Sequence, residues 1–181
     1  MFYIQSKRLR LIPLTRDMFM SCIKDRVAFE ISLGLNPSNL EMDDFFKKEY
    51  DDAVVNFWIP QLAANPEQYQ WITNWEIVLL EENTIIGGIG IAGIPDKVGE
   101  TNTGYMISKK HWNKGYATEA LNCLCDWVFS HEHINCINAN TLIDGFTSQR
   151  VLIKAGFLKI GEDEKECQFK KTRQQTTQII L

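Results

Sequence analysis

The chain has 181 residues, of which 45% are hydrophobic and 23% charged, and its formal net charge is −4. These values predict one globular domain over 1–181 with a sizeable core. No apolar run reaches the ~18 residues of a membrane span. No cluster of Lys and Arg suits nucleic acid, and the start lacks the order of a signal peptide. We therefore expect a cytoplasmic protein that binds neither a membrane nor nucleic acid.

The N-terminal part, 6–64, is predicted to hold one strand and two helices. The alternating run KRLRLIPL predicts a strand over 6–12. Thr15 is placed to cap a helix that runs to about Lys24. After the loop-forming run LNPSNL, an aromatic stripe at helical spacing predicts a longer helix from about Glu41 to Ala63, which Pro60 kinks or ends.

The remaining chain alternates between predicted strands and helices, with a central part at 73–160 and a C-terminal part at 161–181. WITNWEIVLL, TIIGGIGIAG and TNTGYMIS predict three strands. A helix to about Ser130, a strand over 134–143 and a helix closed by Gly156 follow. The runs FLKIGE and CQFKKTRQQTTQIIL supply the last strands. The order predicts a mixed α/β (α+β) domain with about seven strands and four helices, centred on one β–α–β unit.

The stretch HWNKGYATEAL, residues 111–121, places Gly115 directly before a predicted helix. Glycine permits close backbone approach, and a helix N-terminus offers unpaired N–H groups to an anion such as phosphate. Two nucleotide motifs do not fit. G-x-x-x-x-G-K-[ST] needs glycine where Lys110 stands, and G-x-G-x-x-G needs glycines where Asn113 and Thr118 stand. An anion site and a simple tight turn both remain open.

A longer pattern narrows the choice. GYMISKKHWNKGYATEAL, followed further along by SQRVLIKAGF, resembles the acyl-CoA-binding core of the GNAT superfamily of N-acetyltransferases, and within it the Rim branch, which acetylates ribosomal protein N-termini. The superfamily signature is Gln/Arg-x-x-Gly-x-Gly/Ala, and this chain departs at its first position, Trp112. The run from Trp112 is itself typical of the Rim branch. The opening SKRLRLIPLT also matches the start of that branch.

The resemblance implies an acetyl-CoA cosubstrate, no metal and an amine acceptor, either a protein N-terminus or a small amine. The pyrophosphate would lie on backbone N–H groups from Asn113 to Thr118, with a charge from Lys114. The strand segment Tyr105 to Ile107 would offer backbone groups to the pantetheine arm. The expected cofactor-binding residues are Ile107, Trp112, Asn113, Lys114, Gly115, Tyr116, Ala117, Thr118, Asn140, Ser148 and Lys154.

The second block matches the branch at Ser148, Lys154, Gly156 and Phe157. It departs at Gly145, where the branch has an asparagine that contacts the cofactor arm, and Asp144 or Asn140 are possible substitutes. Many superfamily members carry a general-acid tyrosine at the position of Leu152. Without it, Ser148 is the candidate proton donor to the leaving thiolate. Its alternative role is to cap the helix, a role open also to Thr147.

The general base and the oxyanion donor are less clear from the sequence. Glu76 and Glu100 are candidate bases, and each has the alternative of a structural or solvated carboxylate. A backbone N–H near Ile107 is the expected oxyanion donor. Cys123 and Cys125 point to different faces of a helix and are interpreted as packing residues.

Three hypotheses remain at this stage. The first is an acetyl-CoA-dependent N-acetyltransferase, monomeric or homodimeric, whose acceptor pocket is built from the N-terminal helices and the last strands. The second is a CoA-binding regulatory or interaction protein without turnover, for which Gly145 and Leu152 argue. The third is a domain that binds a different phosphorylated ligand.

Overall fold

A single mixed sheet organises the computed structural model, which describes residues 1–40 and 44–173. Its eight strands follow the order β1-β2-β3-β4-β5-β6-β8-β7. Only β5 and β6 are parallel among neighbours; every other pair is antiparallel. The strands are β1 (Ile4–Gln5), β2 (Leu9–Pro13), β3 (Asn74–Leu79), β4 (Thr84–Ile91), β5 (Glu100–Ile107), β6 (Cys136–Leu142), β7 (Leu158–Glu162) and β8 (Glu166–Thr172).

Within the described residues, six α-helices flank this sheet, and the mixed α/β class predicted from the sequence is confirmed. They are α1 (Arg16–Lys24), α2 (Arg26–Ser32), α3 (Asp44–Ala53), α4 (Ile59–Ala64), α5 (Tyr116–Phe129) and α6 (Phe146–Lys154). A π-turn (Val54–Trp58) joins α3 to α4, and short 3₁₀ segments cover Pro66–Trp71 and Lys109–His111. No helix of the described residues combines the length and apolar character that crossing a membrane requires.

Two elements were not predicted from the sequence, β1 and α2. The strand β1 is only two residues long, too short for an alternating pattern. The helix α2 follows α1 after a single residue, Asp25, whose extended backbone ends one helix while its carboxylate accepts from Ala28 N at 3.0 Å to begin the next. One capping residue serving both helices leaves no loop signal between them.

The long predicted helix is interrupted by a π-turn, not at Pro60 itself. Its predicted start at Glu41 lies outside the described residues. Within the described part, Ile59 N donates to Val54 O, a bond that spans five residues instead of four. Pro60, next in line, has no N–H to continue a regular helix, and the wider turn before it accommodates that missing donor.

The predictions for the central unit are confirmed in their main features. In α5 the inward face is buried and includes Leu121, Leu124, Cys125 and Val128. Burial stabilises each large apolar side chain among them by about 1.5–3 kcal/mol. Thr15 caps α1 by accepting from Met18 N at 3.3 Å. Gly156 follows α6 with φ of +84°, as a C-terminal glycine should.

Candidate active site

The parallel pair at the centre of the sheet separates after three residue pairs, so that β5 and β6 enclose a gap. Their pairing ends at Asn102 opposite Asn138. On its other side, β5 stays paired with β4 as far as Ile107 opposite Gly87. This one-sided pairing leaves the second half of β5 with one backbone edge free of β6.

The hydrogen-bond alternation of β4 and β5 shows which backbone groups of β5 face the gap. Ala92 N donates to Asn102 O at 2.9 Å, and Ser108 N donates to Ile86 O at 2.8 Å. In an antiparallel ladder every second residue bonds to the partner strand and those between point away. The N–H and C=O groups that point away from β4 therefore belong to Thr103, Tyr105 and Ile107.

A loop with two left-handed residues carries the chain from this gap into α5. Asn113 has φ of 60° and Gly115 has φ of 82°. Gly115 is the N-cap and no side chain accepts from the first turn of the helix. Trp112 Nε1 donates to Ile107 O at 2.5 Å, which ties the loop to the end of β5. A Cβ on Gly115 would have only Arg8 Nη2 near it, at 3.5 Å, so the space in front of the helix is open.

Arg8, the residue directly before β2, braces the start of α5. It was not predicted from the sequence as part of the site. Arg8 Nη1 donates to Lys114 O at 3.1 Å, and its Nε donates to Glu119 Oε2 at 2.6 Å. The guanidinium carbon lies 4.5 Å from the centre of the Tyr116 ring. Burial alone would raise the pKa of Glu119, but hydrogen bonds from Ser6 and Arg8 outweigh it and lower that pKa below its ordinary value. Arg8 thereby offsets an acidic side chain next to the proposed anion site.

One cavity of about 480 Å³ runs from the gap to the N-terminal helices. Its gap end is the part next to β5, β6 and α6, lined by Gly104, Tyr105, Met106, Ala139, Asn140, Ser148 and Leu152. Its helix end is the part next to α2, α3, the π-turn and β3, lined by Arg26, Tyr50, Ala53, Phe57, Trp58 and Glu76. The sequence predicted a pocket built from the N-terminal helices and the last strands. The lining includes the helices, but none of its described residues belongs to β7 or β8.

A pair of hydroxyl groups lies at the gap end. Tyr105 Oη and Ser148 Oγ are 3.0 Å apart, and the tyrosine O–H also lies 3.1 Å from Ser148 O. Burial raises the pKa of Tyr105 to about 12, although the hydrogen bond with Ser148 lowers it in part. The tyrosine therefore keeps its proton near neutral pH. The sequence reasoning placed Tyr105 only through its backbone and did not identify this pair.

The capping role considered for Ser148 and Thr147 was wrong. The N-cap of α6 is Gly145, which has no side chain with which to cap. Because the helix begins at Phe146, Ser148 is its third residue and its hydroxyl is turned to Tyr105 instead of the helix end. Leu152 is buried and lines the cavity one turn further along α6.

A buried ion network lies at the helix end. Glu76 Oε2 accepts from Arg26 Nη2 at 2.9 Å, and Oε1 accepts at 3.3 Å from both Arg26 Nη1 and Asn74 Nδ2. Arg26 Nε also donates at 3.0 Å to Glu30 Oε1. Burial favours loss of the Arg26 proton, but the charge and hydrogen bonds of Glu76, together with the charge of Glu30, outweigh it and raise the pKa of the guanidinium further. Arg26 is therefore a permanent cation between two carboxylates.

The other predicted site residues are spread over the domain. Asn140 lines the gap end and donates to Glu166 Oε2 at 3.0 Å. Lys154, at the far end of α6 from Ser148, is exposed and does not line the cavity. Glu100 also lies outside the lining, where hydrogen bonds from Asn138 and Lys170 lower its pKa. Of the two candidate bases, only Glu76 reaches the cavity.

The cysteines and one histidine have packing environments. Burial raises the pKa of Cys123 to about 11 and that of Cys125 to about 12, so both thiols stay protonated near neutral pH. The ring of His131 stacks edge-on against Trp71 and Trp127, with centroids at 4.9 and 4.8 Å. Cys125 is buried in the core and Cys123 is half-buried against it, which supports the interpretation of both as packing residues.

Comparison with known proteins identifies the family. The family model described as "Acetyltransferase (GNAT) domain" matches residues 8–158, which includes the gap, the α5 loop and both ends of the cavity. The chain belongs to this family. The resemblance seen in the sequence is thus confirmed at the level of the superfamily.

Curated relatives agree with this assignment. The uncharacterized N-acetyltransferase YjdG of Bacillus subtilis is 38% identical over 85 residues, which span 47% of this chain and 51% of that protein. This match therefore spans about half the length of the relative. The uncharacterized N-acetyltransferase YoaA of the same organism is 32% identical over 126 residues, 68% of this chain and 71% of that protein.

Solved structures share the fold over nearly the whole chain. A RimL ribosomal-protein alpha-N-acetyltransferase in complex with coenzyme A is 13% identical with a TM-score of 0.66, covering 94% of this chain and 98% of that one. At this identity the likeness concerns the fold alone. The fold of the Rim branch, expected from the sequence, is the fold observed for this GNAT domain.

Proposed function

We propose that this GNAT protein is an N-acetyltransferase that uses acetyl-CoA to acetylate a primary amine. The observation that carries the proposal is the continuity of the site. The α5 loop, with its unpaired amides, is tied to the end of β5 by Trp112. The free edge of β5 leads from there to the paired hydroxyls of Tyr105 and Ser148, and the cavity continues to Glu76. The RimL relative in complex with coenzyme A supports the choice of cofactor.

The residues at the gap fit coenzyme A. The N-terminus of α5 combines free N–H groups with the positive end of a helix dipole, which suits a pyrophosphate. The backbone from Asn113 to Thr118 would hold this group, with Lys114 as an exposed cation beside it. The N–H and C=O of Tyr105 would pair with the amide groups of the pantetheine arm. The arm would thus lie where β6 would lie if it stayed paired with β5. When bound, acetyl-CoA supplies an activated thioester at the gap end.

The amine has to be neutral when it attacks. An α-amine with a pKa of about 8 is partly neutral at neutral pH, whereas a lysine amine, with a pKa of about 10.4, is neutral in roughly one molecule in 2,500. Glu76, which lines the cavity, would take the amine proton. A carboxylate can accept about four hydrogen bonds. Arg26 and Asn74 donate three of them to Glu76, which leaves one position for the amine substrate.

Two groups, one at the end of β5 and one on α6, would stabilise the charges that develop during transfer. The N–H of Ile107 points away from β4, as the ladder alternation requires, and would donate to the oxygen that becomes negative. Ser148 Oγ would donate a proton to the departing thiolate and regain one from solvent, and the protonated Tyr105 hydroxyl at 3.0 Å would orient it. This arrangement gives a tyrosine–serine pair in the place of the single tyrosine that many relatives carry at Leu152.

The experiment is an amine panel with two readouts, calorimetric titration of coenzyme A and the rate of CoA-thiol release from acetyl-CoA. The panel contains dipeptide amides, free amino acid amides, polyamines and aromatic amines. Binding with amine-dependent thiol release and an acetylated product is the expected result. Binding without transfer to any amine would favour a regulatory CoA-binding protein, and the absence of binding would point to a different phosphorylated ligand.

A further inference from the structure

The helix end of the cavity has aromatic walls that hold one another in place. Trp58 contacts Tyr50 edge-on with ring centroids 5.1 Å apart, and Phe19 edge-on at 5.3 Å. Phe57 and Ala53 complete this part of the lining. Such a surface buries an apolar group of the ligand.

The polar groups of the helix end form a network with excess negative charge. Arg26 pairs with Glu76 and with Glu30, whose side chains are 2% and 1% exposed. Ser38 adds neutral donors to Glu30 through its N–H and its hydroxyl. Two buried carboxylates and one guanidinium leave one negative charge. Lys110, which donates to Ser38 O at 3.3 Å, is exposed, so water screens its charge.

Neighbouring acids respond to this excess charge. Burial raises the pKa of Tyr50, and the charge of Glu76 raises it further by more than Arg26 lowers it. Burial and then the charge of Glu76 also raise the pKa of Cys22 to about 12, although Arg26 lowers it in part. A negative potential that disfavours a second anion also favours a cation at this end of the cavity.

We infer that the acceptor is a compact amine with a single positive charge and an apolar body attached next to it. This inference rests on the proposed acetyl transfer and names the substrate class for it. The ammonium group would lie at the remaining acceptor position of Glu76, and the apolar body would lie against Tyr50, Phe57 and Trp58. The chemistry is shared by two sources, a free small amine and a polypeptide N-terminus whose first side chain is apolar.

The same geometry excludes other amines. A second ammonium, as in a polyamine, would be buried against aromatic walls with no carboxylate of the described cavity lining other than Glu76 to pair with it. A carboxylate beside the amine, as in a free amino acid, would meet the excess negative charge of the network. Burial of an unpaired charge is strongly unfavourable, so both changes reduce productive binding.

Two matched substrate pairs test this class on the wild-type protein. Hexylamine and hexamethylenediamine differ by one ammonium, and phenylalaninamide and phenylalanine differ by one carboxylate. We expect kcat/KM to be at least ~10-fold higher for the first member of each pair. Calorimetric titration into the CoA-saturated protein should show the same order. Equal kcat/KM within either pair, or no binding of any of the four to a protein that binds CoA, would overturn the inference and leave CoA binding intact.

A charge variant away from the lining tests the network itself. Glu30→Gln keeps the shape of a residue that does not line the cavity and removes the excess charge, while Glu81→Gln removes an exposed charge in the β3–β4 turn as a matched control. We expect Glu30→Gln to reduce the preference for phenylalaninamide over phenylalanine at least ~3-fold and Glu81→Gln to leave it unchanged. An unchanged preference in both variants would remove the network from substrate selection.

A third arm identifies the source of the amine. A peptide that begins with Phe and ends in an amide is compared with phenylalaninamide in the same thiol-release assay. Turnover of both supports the class with a polypeptide N-terminus as acceptor, and turnover of phenylalaninamide alone supports it with a small amine. A peptide beginning with Asp that is acetylated as fast as the Phe peptide would contradict the inference. Failure of the protein to bind CoA at all would instead contradict the proposed function.

Discussion

The two ends of the cavity are built in different ways. The gap end and the α5 loop present mainly backbone groups, the free edge of β5 and the first turn of α5. The helix end presents side chains, in which Arg26 of α2 meets Glu76 of β3 across 50 positions of sequence. The backbone groups are supplied by a local motif, whereas the side-chain network forms only when the whole domain has folded.

This difference separates the two tasks of the site. A ligand common to the family can be held by main-chain amides, which every sequence supplies, provided that glycine and loop geometry expose them. An individual acceptor has to be recognised by side chains, which each member of the family can vary. Variants in the α5 loop and in the helix end should therefore fail in different assays, CoA binding for the loop and stability or acceptor selection for the helix end.

The largest effect is expected for Gly115→Val. A β-branched side chain at φ of 82° would occupy the open space in front of α5, so we expect CoA binding to be nearly abolished in calorimetry. Gly34→Val is the matched control, since Gly34 has φ of +72° and nothing within 4 Å of its missing Cβ. Both variants carry a left-handed strain of about 1–2 kcal/mol. CoA affinity equal in the two variants would disprove the pyrophosphate assignment.

The next effect contrasts two arginine–glutamate pairs, one for each region. Arg26→Met leaves Glu76 and Glu30 buried without a cation, and we expect about 3–5 kcal/mol of destabilisation in urea unfolding. Arg8→Met removes a pair whose arginine side chain is 42% exposed, so the expected loss is about 1 kcal/mol or less. Arg8→Met should instead weaken CoA binding, because it no longer braces Lys114. Equal losses of stability would contradict the difference between the regions.

Ser148→Ala tests the hydroxyl pair. Without a proton donor to the thiolate we expect kcat to fall by about 10²-fold, with Tyr105→Phe giving a smaller decrease because Ser148 remains. Since Ser148 is not the N-cap of α6, the melting temperature should change little. Both quantities are measured on the best substrate of the amine panel. An active but destabilised Ser148→Ala protein would exclude Ser148 from proton transfer.

The smallest effect concerns acid stability at the α5 brace. The pKa of Glu119 in the folded protein lies below its ordinary value of about 4.3. Its contribution to folding is therefore complete above that value and is lost as pH falls through the lower folded pKa. Glu119→Gln should flatten this part of the acid-unfolding curve, while Glu81→Gln should leave it unchanged. A wild-type curve that coincides with that of Glu119→Gln would show that the brace has no charge-dependent role.

The sequence predicted those parts of the site that lie within one continuous motif. Residues 113–118 are consecutive, and the glycine before an amphipathic helix has few physical explanations, so a local motif was enough to predict an anion site there. Tyr105 and Ser148 are 43 positions apart, and their contact depends on how β5 and α6 flank the gap. The capping assignment for Ser148 failed because Gly145 begins α6 with backbone geometry alone, which leaves no side-chain signal.

The fold was predictable to a similar degree. Strands of five or more residues and α5 have clear periodic patterns. The helix α2 was hidden because Asp25 ends one helix and begins the next. The π-turn forms because the helix continues although Pro60 lacks an N–H to donate. The periodic pattern of apolar residues does not reveal this local change of hydrogen bonding.

One measurement tests the central claim most directly. Phenylalaninamide and acetyl-CoA are incubated with the protein, and released CoA thiol and acetylated amine are quantified in the same sample, by thiol titration and mass spectrometry. The account predicts equal amounts of the two products and no thiol release without the amine. Thiol release that is independent of the amine, or bound acetyl-CoA with no release at all, would contradict it.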